Sequence, residues 1–123
     1  MHYHIVIAAE LEETVRSVCT ILRVLSLSCT ITLTTTAGET MIDYLQEHKP
    51  HLLILGFSRA AASRLTRLAR KACPALRVLW LAEGTDTLPE ADVSLPEPVT
   101  ALRLINSIFL ALIRKGSVLT PAT

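Results

Sequence analysis

Short, continuous apolar runs alternate along the chain with longer stretches of helical periodicity. The first run, His4–Ala8 (HIVIA), is rich in β-branched residues, the pattern of a strand buried on both faces. From Leu11 the period lengthens. Leu11, Val15, Val18, Leu22 and Leu25 share one helical face, with Glu12, Glu13, Arg16, Thr20 and Arg23 opposite. The acids in its first turn suit the positive end of the helix dipole. Cys29–Thr36 (CTITLTTT) alternates and is full of threonine, which predicts a half-exposed strand near a sheet edge. Gly38 then precedes a short helix with Met41, Ile42 and Leu45 inward, and Pro50 ends it. Leu52–Phe57 (LLILGF) is a second fully buried strand. The helix after it is expected to bury Ala61, Leu65, Leu68 and Ala72 before Pro74 closes it. Arg77–Glu83 (RVLWLAE) reads as a fourth strand and Asp92–Leu95 (DVSL) as a weaker fifth. A last helix runs from about Val99 to Lys115 and is apolar over most of its circumference.

Strands alternating with helices imply right-handed crossovers and a parallel sheet covered on both faces. One link departs from this. Between Glu83 and Asp92 stands only GTDTLPEA, too short and too broken by Gly84 and Pro89 for a covering helix. The sheet face near the fourth and fifth strands is therefore expected to be thinly covered or open to a partner.

Composition narrows the class. A chain of 123 residues is one domain by size, and with half its residues apolar and 19% charged it is not a disordered segment. A net charge of +1 argues against a protein given over wholly to nucleic acid. No apolar run reaches the roughly 18 residues of a membrane span. The N-terminus lacks a basic region followed by a long apolar one, so no signal peptide is expected. Three cysteines without paired spacing fit a reducing cytoplasm. His2 and His4, and His48 and His51 around Pro50, come with no Cys or carboxylate set at ligand spacing, so no metal or cofactor is expected.

In this order the segments Ile5 to Lys115 resemble a CheY-like receiver domain, the phosphoacceptor module of response regulators. The resemblance implies a flavodoxin-like, three-layer α/β fold with a five-stranded parallel sheet, its fourth helix missing or much reduced. It also implies a site at the C-terminal ends of the strands. The family's two acids after the first strand fall on Ala8 and Ala9, followed by Glu10. The phosphorylated aspartate, within a phrase like PHLLILG (Pro50–Gly56), falls on Gly56. The hydroxyl residue ending the fourth strand falls on Ala82, the lysine before proline on Glu97, and the aromatic switch position on Ser94. Every one of these positions is altered. Glu10 alone cannot hold Mg²⁺ against its hydration shell, Gly56 has no carboxylate to accept a phosphoryl group, and Glu97 would repel one. The chain is thus expected to be a phosphorylation-independent pseudo-receiver over residues 1–115, with no Mg²⁺ and no enzymatic activity. The segment Ala111–Thr123 (ALIRKGSVLTPAT) is similar to the linker that opens toward the helix-turn-helix of NarL/LuxR-type regulators. On that resemblance residues 116–123 are a linker-like tail, and DNA binding would belong to a domain beyond them.

Two surfaces are candidates for partners. The last helix carries Arg103, Ser107 and Arg114 as a polar stripe with Leu110 in its middle, while Leu104 and Ile108 widen its apolar arc beyond the need of one sheet face. A helix apolar nearly all round is usually buried on two sides, so a homodimer or partner contact is expected there. Six of the 12 basic residues, Arg59, Arg64, Arg67, Arg70, Lys71 and Arg77, fall in one stretch without an acid. Arg64, Arg67, Arg70 and Lys71 read either as a docking stripe for an acidic partner or as a solvated outer face. A different reading is a small-ligand or redox sensor that uses the open face near the fourth strand, with Cys19, Cys29 and Cys73 as its thiols. Isolated buried cysteines more often act as inert small hydrophobes.

Overall fold

The computed structural model describes residues 3–24, 29–34, 39–82, 84–96 and 99–117. In chain order the elements are β1 (Tyr3–Ala9), α1 (Glu12–Val24), β2 (Cys29–Thr34), α2 (Glu39–His48), β3 (Leu52–Gly56), α3 (Arg59–Ala72), β4 (Arg77–Leu81), β5 (Val93–Leu95) and α4 (Ala101–Ser117). The strands form one parallel sheet in the order β2-β1-β3-β4-β5. Leu25, Gly38, the last two residues of CTITLTTT, Glu97 and residues 118–123 lie outside the described residues.

The apolar runs are continuous because the central strands are covered twice. Side chains alternate across a strand. Val6, Leu53, Leu55, Val78 and Trp80 therefore pack with Met41 and Leu45 of α2 and with Ala62, Leu65 and Ala69 of α3. Ile5, Ile7, Leu52, Ile54, Leu79 and Leu81 point the other way, onto Val15, Val18 and Leu22 of α1 and onto Leu104, Ile108 and Ala111 of α4. Two apolar layers thus sandwich the sheet, as expected for parallel strands.

No helix follows β4 among the described residues, yet the sheet there is not open. Leu88 from the β4–β5 loop is buried with Trp80 and Leu76, and Ala91 packs beside it. Side chains of α3 hold the loop in place. The Arg70 guanidinium donates to Glu90 O and to Asp92 Oδ2, both at 2.6 Å, and the Val78 N–H also donates to Asp92 Oδ2 at 2.7 Å. Arg59 Nε donates to Thr87 O at 3.2 Å and lies 3.6 Å from Asp86 Oδ2. The Ser63 hydroxyl donates to the Glu90 carboxylate. That bond, then the Glu90 backbone and the charges of Arg67 and Arg59, hold the Glu90 carboxyl below the usual carboxylate range. These contacts account for a local oddity: α3 has no acid in its first turn and begins on Arg59, against the helix dipole. Arg59 serves the loop instead of the helix end. The β4–β5 loop thus covers part of the face considered for a small-ligand or redox sensor, and a cavity of about 480 Å³ remains between α3 and the loop, lined by Arg59, Ala60, Ser63, Arg67, Leu88 and Glu90. Cys73 and Cys19 are buried in the layers on opposite sides of the sheet, and the Cys29 side chain lies outside the described residues.

The N-terminal edge of the sheet is fastened by aromatic and imidazole rings. The His51 N–H donates to His4 O at 2.9 Å, and the His4 N–H donates back to His51 Nδ1 at 3.0 Å. Tyr44 Oη lies 3.0 Å from His4 Nε2, and His48 stacks on Tyr44 with ring centres 4.0 Å apart. Two histidine pairs that spacing left without a role thus tie β1, α2 and the start of β3 together through His4, His48 and His51. His2 lies outside the described residues.

Three expected faces are corrected. Leu11 precedes α1 and is 64% exposed, so the buried stripe of that helix starts at Val15. The inner stripe of α3 is Ala62, Leu65, Thr66 and Ala69, with Ala61 and Ala72 half-buried and Leu68 42% exposed. Small alanines let the helix sit close to the sheet, and buried Thr66 donates to Ala62 O at 2.7 Å. Phasing on the large residue Leu68 turned the helix away from its true stripe. In α4, Ser107 is buried and not part of an outer polar stripe, and the helix continues past Lys115 to Ser117.

If the loop is held from α3, Asp92→Ala, which leaves the Arg70 guanidinium and the Val78 N–H without their shared acceptor, should lower stability by about 2 kcal/mol in urea denaturation. Glu90, with a lowered pKa in the folded protein, contributes stability that is present above the unfolded pKa and lost as pH falls through the folded one. Glu90→Gln should therefore be less stable than the parent at pH 7, and the gap should close on acidification.

Candidate functional site

The C-terminal ends of β1, β3 and β4 converge where the receiver resemblance places the phosphorylation site. Ala8 and Ala9 finish β1 with both side chains fully buried, and Ala9 is the register partner of Gly56 at the end of β3. The Glu10 N–H donates to Gly56 O at 3.2 Å, which fixes the turn into α1. Ala82 is buried, and its N–H donates to Leu95 O at 2.9 Å. The structure thus brings Ala8, Ala9, Glu10, Gly56 and Ala82 together, while Glu97 lies outside the described residues.

Gly56 is more than a missing carboxylate. A Cβ at this position would stand 2.8 Å from Ala9 Cβ and 3.3 Å from Thr14 Cγ2. Ala9 Cβ is fixed to the buried end of β1 and cannot swing aside. The space at the root of an acceptor side chain is therefore filled by Ala9, and an aspartate could enter only by moving a central strand. Sequence alone marks Gly56 and Ala9 as two separate losses. The register shows them as one steric pair.

Around them opens a cavity of about 310 Å³, walled by Leu11, Phe57, Leu81 and Val99, with Glu10, Thr14 and Ser58 as its polar lining. Among the described residues, Glu10 is the only carboxylate in that lining. Mg²⁺ takes near-octahedral oxygen ligation and gives up its waters reluctantly, so one exposed carboxylate and two hydroxyls do not fit it. Among the described residues, no group of three or more His, Cys, Asp or Glu is placed to hold a metal ion. Ser94, at the position of the aromatic switch, accepts a 2.9 Å hydrogen bond on Oγ from the Leu88 N–H. That bond ties the β4–β5 loop to β5.

The candidate partner surfaces are partly redrawn. Leu104 and Ile108 are 0% and 1% exposed and face the sheet, so neither belongs to a partner contact. The apolar arc they widened is consumed by the core. Leu110 is 61% exposed, and it is joined on the outside of α4 by Leu102 and Phe109. Arg103 is half-buried in the first turn, where its N–H donates to Thr100 Oγ1 at 3.3 Å. The Arg114 side chain lies outside the described residues. On α3, Arg64, Arg67 and Lys71 are exposed, whereas Arg70 is bound to the loop through Asp92 and Glu90 O and leaves the docking stripe. No described helix is long and apolar enough to cross a membrane.

The steric pairing of Ala9 with Gly56 has a direct test. Gly56→Ala should lower stability by about 1–3 kcal/mol through overpacking. Ala9→Gly in the same chain should recover most of that loss, giving strong non-additivity in a double-mutant cycle read by urea denaturation.

No protein-family description and no characterised protein matches the chain by sequence. By structure it is similar to a response regulator receiver domain protein from Clostridium thermocellum, with TM-score 0.77, 17% identity, and 94% of this chain and 98% of that one covered. It is likewise similar to the signal receiver domain of a modulated diguanylate cyclase from Desulfovibrio desulfuricans G20, with TM-score 0.73, 13% identity, and 94% and 98% coverage. The chemotaxis response regulator CheY4 of Vibrio cholerae matches with TM-score 0.66, 12% identity, and 88% and 97% coverage. The chain has the α/β, flavodoxin-like fold of response-regulator receiver domains.

Proposed function

We propose that the protein is a phosphorylation-independent pseudo-receiver that acts through protein–protein contact in signal transduction or gene regulation. The observation that carries this reading is the Ala9–Gly56 contact: a Cβ at residue 56 would meet Ala9 Cβ at 2.8 Å, so the scaffold is packed against an acceptor side chain as well as lacking one. Glu10, the one carboxylate among the described lining residues, and the hydrogen-bonded Ser94 support it from the metal side and the switch side. A receiver fold without a phosphate switch retains its surfaces, and its working state is the one its packing dictates. The cytoplasm, where response regulators operate, is the compartment this reading assigns.

The surface we assign to self-association is the outside of α4. Leu102, Phe109 and Leu110 are 68%, 41% and 61% exposed, a concentration of large apolar groups that water disfavours. Among the described exposed residues of that helix none is charged, which suits packing of a second copy on Leu102, Phe109 and Leu110. The similarity of the tail to NarL/LuxR-type linkers makes the favoured setting the regulatory half of a DNA-binding regulator. The dimer would then set the spacing of two DNA-binding domains.

Light scattering should show a dimer that Leu110→Glu weakens at least tenfold without loss of helical signal; a parent that stays monomeric at high concentration removes the α4 contact. Acetyl phosphate with Mg²⁺ should leave both the intact mass and the dimer fraction unchanged. A phosphoryl adduct would overturn the pseudo-receiver reading.

A further inference from the structure

The opposite side of the molecule carries a charge pattern that neither the site nor α4 explains. Arg64, Arg67 and Lys71 stand at i, i+3 and i+7 on the outer face of α3, all exposed, with the exposed apolar side chain of Leu68 among them. Beside α3, on the same side of the sheet, α2 presents Asp43 and Glu47 one turn apart, both exposed. Among the described residues, Arg64, Lys71, Asp43 and Glu47 enter no ion pair, although their helices are in contact. Arg67 lends part of its charge to Glu90. The basic ridge on α3 and the acidic ridge on α2 both point outward, so neither can neutralise the other within one molecule.

We infer that this α2–α3 face binds a second copy of the chain, α2 of one molecule on α3 of the other. The argument is self-complementarity. A two-fold axis running along the groove between the helices carries each α3 onto the partner's α2, so the opposite charges meet twice. The same operation lays each copy's Leu68 against the partner's α2, adding an apolar contact on either side of the axis. An acidic partner would satisfy only the α3 ridge and a basic partner only the α2 ridge, whereas a second copy satisfies both. Arg70 and Ser63, fixed on the loop, keep α3 from rotating its ridge away. Contacts between exposed charges are weak and screened by salt, so the association is concentration-dependent and salt-sensitive.

This contact is independent of the α4 surface, and the test separates the two. Sedimentation equilibrium of the whole chain carrying Leu110→Glu, which disables α4, should still show self-association in 50 mM NaCl. Raising salt to 500 mM should weaken it about tenfold or more. Reversing the basic ridge (Arg64→Glu, Arg67→Glu, Lys71→Glu) should abolish the association, and so should reversing the acidic ridge (Asp43→Lys, Glu47→Lys). An equimolar mixture of the two reversed chains should form dimers again, because both contacts are then between opposite charges. A Leu110→Glu chain that is monomeric at low salt, or whose association ignores salt, overturns the inference whatever the state of α4. So does a mixture of folded reversed chains that stays monomeric.

Discussion

The constraint on which this fold depends is that β1, β3 and β4 are buried on both faces. Ile5, Ile7, Leu52, Leu53, Ile54, Leu55, Val78 and Leu79 have no solvent exposure. Each apolar side chain must therefore find cover on its own side of the sheet, by a helix where the chain supplies one and by a loop where it does not. The missing helix after β4 is the clearest case. Trp80 still has to be covered, and Leu88 does this from a loop held by Arg59, Ser63 and Arg70. Trp80 is itself anchored, its indole N–H donating to Phe57 O at 3.0 Å, which links the loop side of the sheet to the end of β3. Chemistry in such a sheet can live only where the strands end. There the chain has placed Ala9 against Gly56.

Much of the architecture was legible in the sequence because its signals were strong and local. A β-branched run marked β1, a continuous apolar run marked β3, and the prolines at 50 and 74 marked where α2 and α3 stop. The absence of a helix between Glu83 and Asp92 was legible from length and from Gly84, which sits at φ +65°. What failed depended on tertiary contact. The inner face of α3 is made of alanines and a threonine, which carry little hydropathy, so the eye follows Leu68. The arc of α4 is wide because Leu104 and Ile108 complete one core layer; width alone cannot say which edge of an apolar helix meets solvent. The loop that closes the sheet is recruited by Arg70 and Asp92, 22 residues apart, a pairing no local pattern discloses.

The altered site was legible position by position, but its physical meaning was not. The six positions that the receiver resemblance marks as altered, Ala8, Ala9, Gly56, Ala82, Ser94 and Glu97, suggest as a list a site that could be rebuilt by restoring its residues. The register of β1 with β3 couples two of these positions: a Cβ at residue 56 would stand 2.8 Å from Ala9 Cβ, so with Ala9 in place residue 56 must be glycine. On the proposed reading, function belongs to the helix surfaces, where Leu102, Phe109 and Leu110 of α4 and the opposed charges of α2 and α3 are exposed.

The central claim is that this receiver fold cannot be switched by a phosphoryl group. Its most direct measurement is a two-dimensional amide NMR titration with beryllofluoride and Mg²⁺, following Ala8–Glu10, Gly56–Ser58 and Ala82. The account expects these resonances to stay where they are at every concentration of the analogue. Saturable shifts centred on Gly56 and Ala9 would contradict it.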